Sequence, residues 1–215
     1  PEYLTCSKYI TYGWERHPKD LPGKAYRLET FVKTYTNKRH SNNITIDALL
    51  VLSISDEKLR LHYKKFVEFF VAKIDRSKYP NIMVRPRPRS KYYKNAKELD
   101  YLDFRNEFNV DDGQQKLVDN TIKSRCNILV FTPATNLYEC AASFHPFLAF
   151  DMFEFPSKIF KKHLVFFEEV GILHKSVDSM VDFMNKITIE DWWLKIIEDT
   201  RYSLFLNEFC GVRSL

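Results

Sequence analysis

Three arginines stand at alternate positions, Arg85, Arg87 and Arg89, with Pro86 and Pro88 between them. Proline fixes its own φ and biases the residue before it toward extended backbone, so RPRPR is a stiff, extended run. Alternate residues of an extended segment share a side, which lets three guanidinium forks converge on one ligand. Such forks suit phosphate or carboxylate groups. The plainer role for the same residues is an exposed or salt-bridged loop.

A second polar set lies at 132–139, TPATNLYE. Thr132 and Thr135 offer two hydroxyls on either side of Pro133-Ala134, with Asn136 next in the chain. Glu139 follows Thr135 by one helical turn and shares its side. A carboxylate there can hold a ribose hydroxyl pair or a neighbouring arginine; the threonines can equally serve as turn and cap residues, and Glu139 as a solvated helix residue. Asp111 and Asp112 precede Gly113 and combine a turn signature with a carboxylate pair that could act as general base or bind a metal. His145, just before Pro146, is placed near the same rim, although a structural role is the commoner one; His174 is similar. No His/Cys/Asp cluster has metal-ligand spacing, and no metal is expected. Neither a GxSxG elbow nor a Cys–His arrangement is present. Trp192-Trp193 reads as helix packing.

These residues need elements to place them. The run 127–131 is apolar, rich in Ile and Val and too short for a helix, as suits a strand buried on both faces of a parallel sheet. The threonine turn breaks it, a helix follows with Leu137, Tyr138, Cys140 and Ala141 on its apolar side, and 147–150 makes the next strand. Upstream, 44–55 (ITIDALLVLSIS) is a strand and 57–75 a helix, with Leu59, Tyr63, Phe66, Val67, Phe70 and Ile74 at three- and four-residue spacings. Residues 81–85 are the next strand. A short strand at 107–110, a helix over 114–125, a helix over 156–170 ending at Gly171, a short strand at 172–174, a helix over 177–187 and a helical stretch over 189–209 complete the order. Strands alternating with helices give an α/β fold: an open parallel Rossmann-like sheet with helices on both faces and a C-terminal helical extension. Ligands of such sheets sit beyond the carboxyl ends of the strands. Residues 1–43, with a strand around 8–14 and a short helix over 26–35, read as a linker or the trailing piece of a missing amino-terminal domain. Residues 44–215 are the Rossmann-like domain.

Composition excludes several classes. The chain has 215 residues, 45% apolar and 28% charged, as for a globular protein. Five glycines cannot build a glycine-rich nucleotide loop, and neither GxGxxG nor a P-loop occurs. The net charge of +5 is modest, no nucleic-acid module is recognisable, and nucleic acid is not an expected partner. The four cysteines have no metal spacing and read as reduced core residues of a cytoplasmic protein. No apolar run reaches the roughly 18 residues a membrane span needs, though peripheral contact with the inner membrane face is compatible with the sequence. The start at Pro1 reads as a fragment boundary.

The stretch LVFTPATNLYECAASFHPFLAF resembles the carboxyl-terminal half of a GT-B glycosyltransferase. With VRPRPR and VDDGQQKL before it, FFEEVGILHKSVDSMVDFMNKI and DWW after it, and TYGWE upstream, the order of motifs is similar to that of a family of surface-polysaccharide (O-antigen type) transferases. The resemblance implies a donor-binding half for a nucleotide-sugar substrate, without a further cofactor. It puts Arg85 and Arg87 on the phosphates, Thr132 and Thr135 at the helix N-terminus beside the phosphate or nucleotide, and Glu139 in the ribose position. It also implies a glycan or lipid-linked acceptor, with the acceptor site and base supplied by an absent amino-terminal half, so that the fragment alone is inactive. Ala134, Phe144 and Phe147 depart from that family's pattern. The alternatives are a non-catalytic nucleotide- or phosphate-binding or assembly domain of the same fold, and another phosphate-ligand α/β enzyme such as an epimerase.

Overall fold

A computed structural model describes residues 9–11, 20–22, 26–39, 43–52, 57–85, 109–111, 115–130, 135–150 and 158–210. Strand β3 (Ile46–Leu52) is buried at all seven positions, as only a strand covered on both faces can be. Its flanking strands are β4 (Ile82–Arg85) on one side and β6 (Ser124–Val130) on the other, both parallel to it. Beyond β4 lies β5 (Asn109–Val110); beyond β6 come β7 (Phe147–Phe150) and β8 (Leu173–His174). The six strands run β5-β4-β3-β6-β7-β8, all parallel. Two short strands, β1 (Tyr9–Thr11) and β2 (Asp20–Pro22), pair with each other in parallel.

Alternation along the strands divides the core. Ala48, Leu50 and Leu52 of β3 join Cys126, Ile128 and Val130 of β6 on one face. There α2 (Glu57–Lys73) presents Tyr63, Phe66, Val67 and Phe70, with Ile74 just beyond its end, and α6 (Val177–Lys186) presents Met180, Val181 and Met184. Leu49, Val51 and Leu129 face the other way. They meet Leu137, Cys140 and Ala141 of α4 (Thr135–Ala142), Phe166 and Phe167 of α5 (Lys158–Glu169), Trp193 of α7 (Ile189–Ile197) and Phe205 of α8 (Thr200–Phe209). Helices on both faces and a terminal helical extension are as the sequence leads one to expect.

Three local outcomes differ from the pattern reading. The helix expected over 26–35 runs further, as α1 (Tyr26–Arg39), and is no mere connector: Phe31 and Tyr35 pack on Val118 and Ile122 of α3 (Leu117–Lys123). Its last residue, Arg39, donates to the backbone carbonyls of Ile122 and, at 3.1 Å, Ser124. The helix expected over 114–125 is only seven residues long, because β6 already begins at Ser124. The single helical stretch over 189–209 is two helices; Asp199 caps the second by accepting from the Arg201 amide at 2.8 Å.

Two helix ends use the same closing motif with different residues. After α5, Gly171 takes φ 77°, its amide donates to Glu168 (3.2 Å), and the Ile172 amide donates back to Phe167 (2.8 Å). A Cβ on Gly171 would come within 2.5 Å of the Phe183 ring, so only glycine fits. After α4, Phe144 takes φ 53°, its amide donates to Ala141 (3.1 Å), and the His145 amide donates to Cys140 (2.9 Å). A non-glycine residue in that left-handed conformation is strained.

Candidate functional site

The strand order reverses direction between β3 and β6, and this is the topological switch point of the sheet. Chain leaving the two strands there departs toward opposite sides, which opens a crevice beyond their carboxyl ends. Helix α2 follows β3, and α4 follows β6, so both helix N-termini lie on that rim.

Arg85 is the last residue of β4 and pairs with Val51 of β3; Val51 pairs on its other side with Leu129 of β6. The carboxyl ends of β4 and β6, the strands before the arginine segment and the threonine turn, therefore lie on the same edge of the sheet, two strand spacings or about 10 Å apart. Arg87, Arg89, Thr132 and Asp112 lie outside the described residues, as does the side chain of Thr135, the first residue of α4. Asn136 is half-buried in the first turn of that helix.

Arg85 does not stand in line with its expected partners as a free phosphate fork. It is buried, ion-paired with Asp111, and donates from Nη2 to the Gln115 carbonyl at 2.8 Å. The Asp111 carboxylate also accepts from Asn120 Nδ2 at 2.5 Å. Thus Arg85 and Asp111, one proposed for an anion and the other for a base or metal, are engaged with each other. Their pairing fixes the end of β4 to the residue after β5 and to the approach to α3. No group of three or more His, Cys, Asp or Glu among the described residues could hold a metal ion.

Glu139 is 3% exposed, which rules out the solvated helix residue. It lines a cleft of about 540 Å³ together with Thr30, Phe31 and Thr34 of α1 and Gln115 and Lys116 at the start of α3. Lys38 and Asp119, paired at 3.0 Å, also border this cleft. The α1 contribution escaped the sequence reading, although Leu28, Phe31, Val32 and Tyr35 carry a three- and four-residue spacing that marks an inward face.

His145 is not near this rim. It lies between α4 and β7, and in a parallel sheet the residue entering a strand sits at the amino edge, opposite the ligand side. There it is fully buried, Nδ1 within 3.0 Å of the Tyr35 hydroxyl and Nε2 within 3.1 Å of Ser124 Oγ. Ser124 Oγ donates to Asn127 Oδ1 (2.8 Å), and Asn127 Nδ2 reaches Thr121 Oγ1 (3.0 Å) and Cys140 Sγ (3.3 Å). Burial, with the Arg39 charge nearby, holds the His145 imidazole well below its usual basicity. This is a satisfied core network. His174 ends β8 on the carboxyl edge but is tied to the Gly171 carbonyl (3.0 Å) and Ser179 Oγ (3.1 Å); burial lowers its basicity too. Trp192 and Trp193 donate their indole N–H to Val170 (2.7 Å) and Phe144 (2.8 Å) carbonyls, the packing role expected of them. Among the described residues, no helix is long and apolar enough to cross a membrane.

No protein-family profile matches the chain, and no curated protein matches it in sequence. Among solved structures, it is similar to the wall teichoic acid polymerase TagF. A structure of a TagF variant soaked with CDPG aligns over 97% of this chain and 52% of that one, at 12% identity and a TM-score of 0.51. A second TagF variant aligns over 97% of this chain and 54% of that one, at 13% identity and a TM-score of 0.46. The chain thus spans about half the length of TagF, and what the two share at this identity is the fold: a parallel α/β sheet of the kind found in that polymerase.

Proposed function

We propose that this chain is the donor-binding half of a glycosyltransferase, one that passes a sugar from a nucleotide-sugar to a cell-surface polysaccharide or lipopolysaccharide precursor. The observation that carries this reading is the shared origin of two segments. β4 and β6, the strands that precede RPRPR and TPAT in the chain, end at one edge of the sheet on either side of β3, and Glu139 is buried in a cleft with α1 and the start of α3.

In this reading Arg87 and Arg89 grip the donor phosphates, while Thr132, Thr135 and Asn136 meet them at the N-terminus of α4. Glu139 accepts from the ribose hydroxyls. Arg85, paired with Asp111, holds the base of the arginine segment. Catalysis is positional and electrostatic, through stabilisation of the leaving phosphate, and needs no further cofactor. The acceptor and the general base come from an amino-terminal half, and the enzyme works in the cytoplasm, peripheral to the membrane where its acceptor is lipid-linked.

A second reading, a non-catalytic phosphate-binding or assembly domain, draws on the inward engagement of Arg85 and Asp111. Thermal shift against UDP, GDP, CMP, their sugars and CDPG separates the two. A ligand at about a hundred times its dissociation constant adds about 2.7 kcal/mol. The transferase reading expects a nucleotide-sugar to raise the melting temperature and Arg87→Ala to abolish the rise; no response to any nucleotide-sugar would end it.

A further inference from the structure

A second cleft, of about 470 Å³, runs along α3 from the amino ends of β3 and β4 to Asp111, and Gln115 lines both this cleft and the one that holds Glu139. Thr45, Asn81 and Lys123 surround its amino-edge end, where β3, β4 and β6 begin. Its floor is apolar, from Ile46, Met83 and Val110, and Asn109, Gln115 and Asn120 supply three carboxamides along its length.

Asn120 is the telling residue. It is 3% exposed, and its Nδ2 donates to the Asp111 carboxylate. A carboxylate paired with an arginine can only accept, so the amide orientation is forced and Oδ1 is left over. That oxygen has no partner among the described residues, although buried polar atoms almost always have one. The side-chain amides of Asn81, Asn109 and Gln115 and the Lys123 ammonium likewise have no partners among the described residues. Carboxamides both donate and accept, and so do sugar hydroxyls; the C–H face of a pyranose ring suits a floor of Ile, Met and Val. The volume falls in the range of ligand sites.

We propose that this α3 groove binds a pyranoside, with preference for one bearing an acidic group that Lys123 meets. Asn120 Oδ1 accepts from a ring hydroxyl, and Asn109 and Gln115 bracket the ring. That the sugar belongs to the growing polysaccharide rests on the transferase reading above; the binding itself does not.

The test is amide chemical-shift titration of the whole chain with methyl glucoside and methyl glucuronide. Saturable shifts confined to residues such as Asn109, Asn120 and Lys123 are expected, with a dissociation constant on the order of 1 mM. Lys123→Ala should remove the preference for the glucuronide, and Asn109→Ala with Gln115→Ala should weaken both sugars at least about fivefold, equivalent to about 1 kcal/mol. Those side chains are exposed or half-buried, so the variants keep the fold, as their unchanged amide spectra would verify. Absence of saturation by either glycoside, or binding indifferent to all three substitutions, overturns the proposal. Sugar binding that survives Arg87→Ala while no nucleotide binds would sink the donor reading and leave this one standing.

Discussion

Arg85 and Asp111, 26 residues apart in the chain, form a buried ion pair that joins the end of β4 to the residue after β5. Burying two charges is costly, and removing one partner leaves the other uncompensated. Asp111→Ala should therefore cost about 3–5 kcal/mol, read as a fall in the urea midpoint. Arg85→Met combined with Asp111→Leu should recover most of that loss, since an apolar pair of similar volume needs no charge partner. A double variant as unstable as the single one would show that the pair does more than neutralise itself.

Phe144 is a site for improvement. It holds a left-handed backbone conformation at the end of α4, where its side chain is 37% exposed and its carbonyl serves Trp193. Phe144→Gly keeps that carbonyl and relieves the strain, while losing a partial ring contact with Tyr202. A net gain of about 0.5–1 kcal/mol should appear as a higher melting temperature. Gly171→Ala, at the matching position after α5, should go the other way by about 2–4 kcal/mol, because the added Cβ strikes the Phe183 ring.

Stability should fall as pH drops below about 6.5, the ordinary histidine value. His145 and His174 both have folded-state basicity lowered by burial. Below about 6.5 the unfolded chain takes up protons that the folded chain refuses, so the unfolded state gains; above it both states are neutral and the contribution is fully present. Each histidine adds a slope of up to about 1.4 kcal/mol per pH unit. Urea midpoints measured from pH 7.5 down to 5.5 give that slope, and His145→Gln should make it shallower. An unchanged slope in the variant would mean that His145 takes a proton while folded.

Glu139→Gln separates its two readings. If Glu139 holds ribose hydroxyls, the change should weaken a nucleoside diphosphate about tenfold by calorimetry, near 1.4 kcal/mol. Inorganic pyrophosphate, which lacks the ribose, should bind as before. Equal losses for both would point instead to a carboxylate that positions the helix or its neighbours.

Much of the architecture was legible because the signals are local. The Ile/Val/Leu runs of β3 and β6 exceed what a half-buried strand would carry, and the spacing of Tyr63, Phe66, Val67 and Phe70 marks one helical face. The break between α7 and α8 was not legible, since neither Gly nor Pro interrupts the apolar period and Asp199 does the capping alone. Nor was the strand order, which depends on pairings that no spacing encodes. The site divides in the same way. The common edge of the Arg85 and Thr135 segments follows from strand direction, so it could be read ahead. The Arg85–Asp111 pairing could not, since it joins residues that no local pattern links. The position of His145 was available all along, because a residue leading from a helix into a parallel strand has to sit at the amino edge.

Tyr35 reaches His145 across 110 residues of chain. A ribosome adding 5–20 residues per second takes on the order of ten seconds to make that stretch. For that interval helix α1 has been made without the imidazole that Tyr35 finally reaches. Anything that hurries or stalls translation between these two residues changes how long α1 waits for that partner.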